Sequence, residues 1–101
     1  MTTQADKIAR FRALHASGTF VIPNPWDIGS ARYLKSLGFK ALASTSAGFA
    51  WTIGKADFQW SVSLEEMLEH LRALSAATDL PVNADFESGY ADDAEGVAAS
   101  V

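Results

Sequence analysis

Asp85-Phe86-Glu87 carries the most pointed chemistry in the sequence. Side chains two apart on a strand project to the same side, so an extended backbone here would bring both carboxylates into one mouth, where they repel. A hard divalent cation relieves that repulsion. Magnesium takes one or two carboxylates, keeps several waters and leaves room for substrate oxygens. Gly89, just beyond the pair, permits close approach of backbone to a ligand. The same two residues also read as solvated acids at a strand end or helix entrance, where negative charge is favourable. Spacing alone leaves both readings open.

Thr45-Ser46-Ala47-Gly48 is a run of small and hydroxyl residues able to offer N–H and O–H donors to a carboxylate. Its other reading is a tight turn whose hydroxyls bond locally. Asp57 could reach a metal through water or could be a surface acid. Trp26 could line a pocket, although a large aromatic beside Pro25 also serves packing. The histidines are weak candidates: His15 falls near the end of a helix, where it complements the dipole, and His70 lies beside Glu66, off the leucine stripe. Lys40 belongs at the opposite end of its strand from the expected chemistry and reads as solvated.

The elements that must position these groups alternate. A helix is expected from Thr3 to about Ser17, with Ile8, Phe11 and Leu14 on one stripe and Gly18 as its stop. Thr19 to Pro23 forms a β-rich run, and Asn24-Pro25-Trp26-Asp27 breaks it, with Asp27 as N-cap of a helix running through Ala31, Leu34 and Leu37 to Gly38. Phe39 to Ser44 is a second strand. Thr45 to Val62 reads as a long loop with Trp51, Phe58 and Trp60 exposed, and loops of that length are often functional. Ser63 and Glu66 form a capping box, Val62 and Met67 a staple, and Leu64, Leu68, Leu71 and Leu74 a buried stripe. Leu80 to Asp85 is a third strand, and Asp92 with Glu95 caps a last helix facing inward through Val97, Ala98 and Val101. Strands alternating with crossover helices give an α/β fold with a parallel sheet. Each suggestive cluster then falls at the C-terminal end of a strand, which is the active-site edge of barrels and open sheets alike.

Composition removes several classes. At 101 residues the chain can hold one small domain, and 49% apolar with 20% charged residues is ordinary for a globular protein and excludes a disordered tail or a membrane span. The net charge of −4 without a basic run makes nucleic acid and anionic membranes poor partners. The polar N-terminus lacks the apolar stretch of a signal peptide, and the absence of cysteine removes disulfides and thiolate metal sites and fits a reducing compartment, so a cytoplasmic location is expected.

Three stretches in this order, Ile22-Pro23-Asn24-Pro25-Trp26-Asp27-Ile28-Gly29-Ser30-Ala31-Arg32, Leu37 to Ala50, and Leu80-Pro81-Val82-Asn83-Ala84-Asp85-Phe86-Glu87-Ser88-Gly89-Tyr90, resemble the isocitrate lyase/phosphoenolpyruvate mutase superfamily from about Phe11 onward. The resemblance implies a (β/α)8 TIM barrel, usually a homotetramer with a swapped C-terminal helix, that binds Mg2+ and a small 2-oxo or 2-hydroxy acid and stabilises an enolate. Members include carbon-carbon lyases, phosphorus-carbon mutases and hydrolases, and oxaloacetate decarboxylases. Carried over by position, Asp85 and Glu87 would hold magnesium directly or through water and Asp57 would be an outer acid. Thr45, Ser46 and Ala47 would grip the substrate carboxylate. Glu87 stands where many members have aspartate, and Ser46 and Ala47 where the methylisocitrate lyases often have glycine, which argues against a bulky tricarboxylate. A barrel needs about 250 residues, so the three strands expected here are its N-terminal part. A gating loop with a catalytic cysteine and a further metal-site acid would lie beyond Val101. The fragment alone is expected to be inactive because strand edges and apolar faces stay open. The other function class is a non-catalytic, barrel-derived metabolite-binding or interaction module, and a third is a stand-alone α/β protein.

Overall fold

Each helix begins at a side chain that accepts a hydrogen bond from the backbone amide three residues on: Thr3, Asp27, Thr45, Ser63 and Asp93. These N-caps satisfy amides that have no partner within the helix. In the computed structural model, which describes all 101 residues, they start α1 (Gln4–Leu14), α2 (Ile28–Ser36), α3 (Ser46–Thr52), α4 (Leu64–Ala77) and α5 (Ala94–Ser100). Between them lie β1 (Leu42–Ala43) and β2 (Val82–Asn83). At Thr3, Asp27 and Ser63 the third residue bonds back to the cap, completing a capping box.

The two strands pair in parallel, Leu42 with Val82 and Ala43 with Asn83. Two small cores form around them. Ala31, Leu42, Leu74 and Leu80 pack between α2, the sheet and α4, with Leu34, Ala77 and Val82 at the margin. Ala50, Val62 and Met67 form the second, with Phe49, Leu71, Phe86 and Tyr90 at its margin. The expected staple is present, since Val62 and Met67 are both buried in this second cluster. Lys7, itself buried, ties α1 to the far end of α4 by donating to the carbonyls of Ser75 and Thr78. A cation at a helix C-terminus complements its exposed carbonyls.

Several expectations are corrected. Thr19 to Pro23 forms no strand. Pro23 has no N–H to donate, and the segment meets β1 only through Ala43 N–H on the Pro23 carbonyl and the Asn24 side chain on the Ala43 carbonyl, both at 2.9 Å. The second and third strands shrink to two residues each, because a ladder extends only as far as its neighbour runs alongside. The sheet therefore has two strands instead of three. The long loop contains α3, started by Thr45. Helix α1 stops at Leu14, capped by His15 rather than running to Ser17, and Asp93 caps α5 instead of Asp92. The buried residues of α4 are Met67, His70 and Leu74, whereas Leu68 is exposed. Trp26, Tyr33, Leu37, Trp51 and Phe58 also present large apolar surfaces to solvent. No helix is long and apolar enough to cross a membrane.

Candidate functional site

Asp85 lies two residues beyond β2 and is held at both of its ends. Its Oδ2 accepts the Ser46 backbone N–H at 3.1 Å and the Ser46 hydroxyl at 2.9 Å, while Oδ1 accepts the Glu87 N–H at 3.3 Å. Its own N–H donates to Ser44 Oγ at 2.7 Å. Burial pushes the Asp85 carboxyl up, but the Ser46 amide and hydroxyl and then the Glu87 amide outweigh it, so the group titrates below its ordinary 3.8. A carboxylate fixed in this way is ionised at neutral pH and keeps lone-pair capacity on Oδ1.

Glu87 reaches the same region by a different route from strand alternation. The strand has ended, Gly89 N–H closes a turn on the Phe86 carbonyl at 3.0 Å, and Glu87 and Tyr90 adopt left-handed φ values of 50° and 59°. Such backbone is costly for residues with a Cβ and is kept only where the surroundings enforce it. Gly89 at φ 85° is one such constraint, because a Cβ there would lie 2.7 Å from Val97 Cγ1. Glu87 itself is exposed. The Tyr90 hydroxyl is buried without a hydrogen bond of normal geometry. Burial, then the adjacent Glu87 carboxylate, then the charges of Asp85 and Glu66 push its pKa upward, so the phenol stays protonated. Tyr90 was not among the residues expected at the site, and its closeness to Glu87 was the only signal for it in the sequence.

No cluster of three or more acids or histidines is placed to hold a metal. Asp85 and Glu87 instead offer a sparse set of two carboxylates. That fits magnesium, which keeps several waters and needs few protein ligands, better than calcium, which wants a fuller cage.

The structure divides the remaining candidates. Thr45 caps α3, its Oγ1 accepting the Gly48 N–H at 3.1 Å while its own O–H stays free to donate, and both Ser46 donors go to Asp85. The Ala47 amide is left without an acceptor inside the chain. Asp57 is exposed on the connection after α3. That connection is joined to the Asp85–Tyr90 turn by Trp60, whose Nε1–H donates to Ser88 Oγ at 3.2 Å, so Trp60 is partly covered instead of exposed.

Trp26 faces a separate cleft of about 800 Å3, whose lining includes Asp27, Phe49, Lys55 and His70 but not Ser46, Asp85 or Glu87. His70, expected off the packed face, is buried and stacks on Phe49 with ring centroids 3.9 Å apart, leaving Nε2 without a partner. Burial lowers its pKa, with Asp27 opposing, so the ring is neutral at pH 7. Lys55 closes on both Glu66 oxygens at 3.1 and 2.8 Å.

Polar groups thus gather at the C-terminal edge of a parallel sheet, the edge that carries the active sites of α/β enzymes. The chain belongs to the phosphoenolpyruvate phosphomutase family, whose sequence profile matches residues 11–101, within the phosphoenolpyruvate mutase/isocitrate lyase superfamily. A provisionally assigned lyase/mutase of Burkholderia cenocepacia J2315 superimposes with a TM-score of 0.91 at 48% identity, covering 96% of this chain and 35% of that one. A provisionally assigned phosphonomutase of the same organism gives 0.80 at 39%, covering 93% and 37%. A 2,3-dimethylmalate lyase of the superfamily gives 0.80 at 33%, covering 93% and 34%. The chain spans about a third of the length of these relatives. They are lyase- and mutase-type proteins.

Proposed function

We propose that the chain is the N-terminal part of a (β/α)8 barrel enzyme that depends on Mg2+ and makes or breaks a C–C or P–C bond of a small 2-oxo or 2-hydroxy acid by way of an enolate. The single observation that carries this reading is the Asp85 carboxylate, held ionised by Ser46 and Glu87 at the C-terminal end of the sheet. Asp85 and Glu87 would hold the magnesium, directly or through water, and Asp57 would act as an outer acid. When bound, the ion supplies Lewis-acid stabilisation of the negative charge that develops on the substrate oxygens.

The chain's own groups do the rest. Ser46 keeps Asp85 ionised and oriented, so no proton is lost or gained there at neutral pH. The Thr45 N–H and O–H and the Ala47 N–H, none with an acceptor inside the chain, are the donors of the Thr45–Ala47 run for a substrate carboxylate. Trp26 would line the neighbouring cleft, which does not include Asp85 or Glu87. A homotetrameric parent in the cytoplasm accompanies this reading, as does inactivity of these residues by themselves, supported by the apolar surface left open at Trp51 and Phe58. Oxalate, which mimics a small enolate, provides the test: the full-length protein should bind it only with magnesium, and Asp85→Ala should abolish binding.

A further inference from the structure

The parallel ladder sets where the Asp85 amide ought to go. Leu42 N–H donates to the Pro81 carbonyl and Ser44 N–H to the Asn83 carbonyl, both at 2.9 Å, which is the regular slanted pattern. Continued by one more rung, that pattern would send the Asp85 N–H to the Ser44 carbonyl. It goes instead to the Ser44 hydroxyl, at 2.7 Å. The side chain has replaced the backbone as acceptor, and the paired strand goes no further than Asn83.

Ser44 is buried among small neighbours, Ala41 and Ala43, at the end of the strand's apolar run. A buried hydroxyl in such a place is unfavourable unless it is hydrogen-bonded, and alanine would fill the position with less cost if packing were all that mattered. The two serines flanking Thr45 then grip one aspartate from both sides: Ser44 takes its main-chain N–H, and Ser46 donates twice to its carboxylate. Fixing both the backbone and the side-chain end removes the freedom with which Asp85 would otherwise swing away from Glu87.

We propose that Ser44 is the positioning residue of the acidic site: by displacing the last rung of the ladder it sets the direction in which Asp85 presents its carboxylate. In this role Ser44 acts through Asp85, whose N–H it accepts. The inference rests on the reading of Asp85 as a magnesium-holding group. Groups that orient a metal-binding side chain are worth about 10- to 100-fold in metal affinity when removed.

The test uses the full-length protein with Mg2+ alone as the probe, measured by calorimetry, and hydrogen exchange of the Asp85 amide followed by NMR. Ser44→Ala should weaken magnesium binding about 10-fold or more and speed exchange of the Asp85 amide, while Ser44→Thr, which keeps the hydroxyl, restores both. Wild-type affinity in Ser44→Ala, or an equal loss in Ser44→Thr, overturns the proposal, because the effect would then be absent or one of packing. An unprotected Asp85 amide in the wild type overturns it without recourse to any variant. Absence of magnesium binding in the wild type sinks the metal reading of Asp85 instead, and the amide exchange rates still decide whether Ser44 positions it.

Discussion

Ser46 directs both its backbone N–H and its hydroxyl to the same oxygen of Asp85, at 3.1 and 2.9 Å, across 39 residues of sequence. The relationship joins the start of α3 to the turn after β2, and it decides what Ser46 can do. A serine whose two donors are already engaged holds the acid in place and has neither to spare for a ligand. Ser46→Ala removes the hydroxyl bond and keeps the amide bond. The Asp85 pKa is expected to rise toward its ordinary 3.8, read by NMR titration of the carboxyl carbon. No change in that pKa would show that the hydroxyl contributes nothing to keeping Asp85 ionised.

Acid should weaken the fold in two stages. His70 is buried with its pKa lowered from 6.5, so the unfolded chain takes up a proton first and stability declines as pH falls below that value. Asp85 and Glu66 have carboxyls held below 3.8 and 4.5. Their stabilisation is complete above those ordinary values and is lost as pH drops through the lower folded ones. Urea midpoints measured from about pH 8 to about pH 3 should show both stages. His70→Leu should remove the first and leave the second, and a first stage that survives the substitution would assign it elsewhere.

The packed face of α4 is tested by two of its leucines. Leu74 is fully buried against Leu42 and Ala31, so Leu74→Ala should cost about 2–5 kcal/mol. Leu68 is exposed, and Leu68→Ala should cost about 1 kcal/mol or less. Chemical denaturation of both variants separates them, and equal losses would restore the leucine stripe that the sequence suggested.

Gly89→Ala should destabilise the site turn. The position has φ 85°, and its new Cβ would meet Val97 at 2.7 Å, so a cost of about 1–3 kcal/mol is expected, with a weaker response to magnesium. Unchanged denaturation and unchanged magnesium affinity would mean that the turn does not depend on this backbone geometry.

What the sequence made legible was local. Asp27 as a cap and the Ser63–Glu66 box need only residues three apart, and both are present. The strands are shorter than the sequence suggests because β-rich composition says nothing about where the neighbouring strand stops; Phe39 to Ala41 has suitable residues but no partner. Helix α3 was hidden because Thr45-Ser46-Ala47-Gly48 looks like a turn until Thr45 is seen to cap it. His70 is not legible because the leucines alone suggest a different stripe, whereas the buried face runs through Met67, His70 and Leu74. At the site, the types of Asp85, Glu87 and Ser46 were readable in the sequence. The serine-to-aspartate bonds were not, since they arise only when β1 and β2 bring distant segments side by side.

The most direct measurement is calorimetric titration of the full-length protein with oxalate, with and without magnesium, beside an Asp85→Ala variant of matched stability. Binding that requires both the ion and Asp85 is the expected result. Magnesium-independent binding, or equal binding by Asp85→Ala, would contradict the enolate-stabilising site and favour a metabolite-binding module without this chemistry.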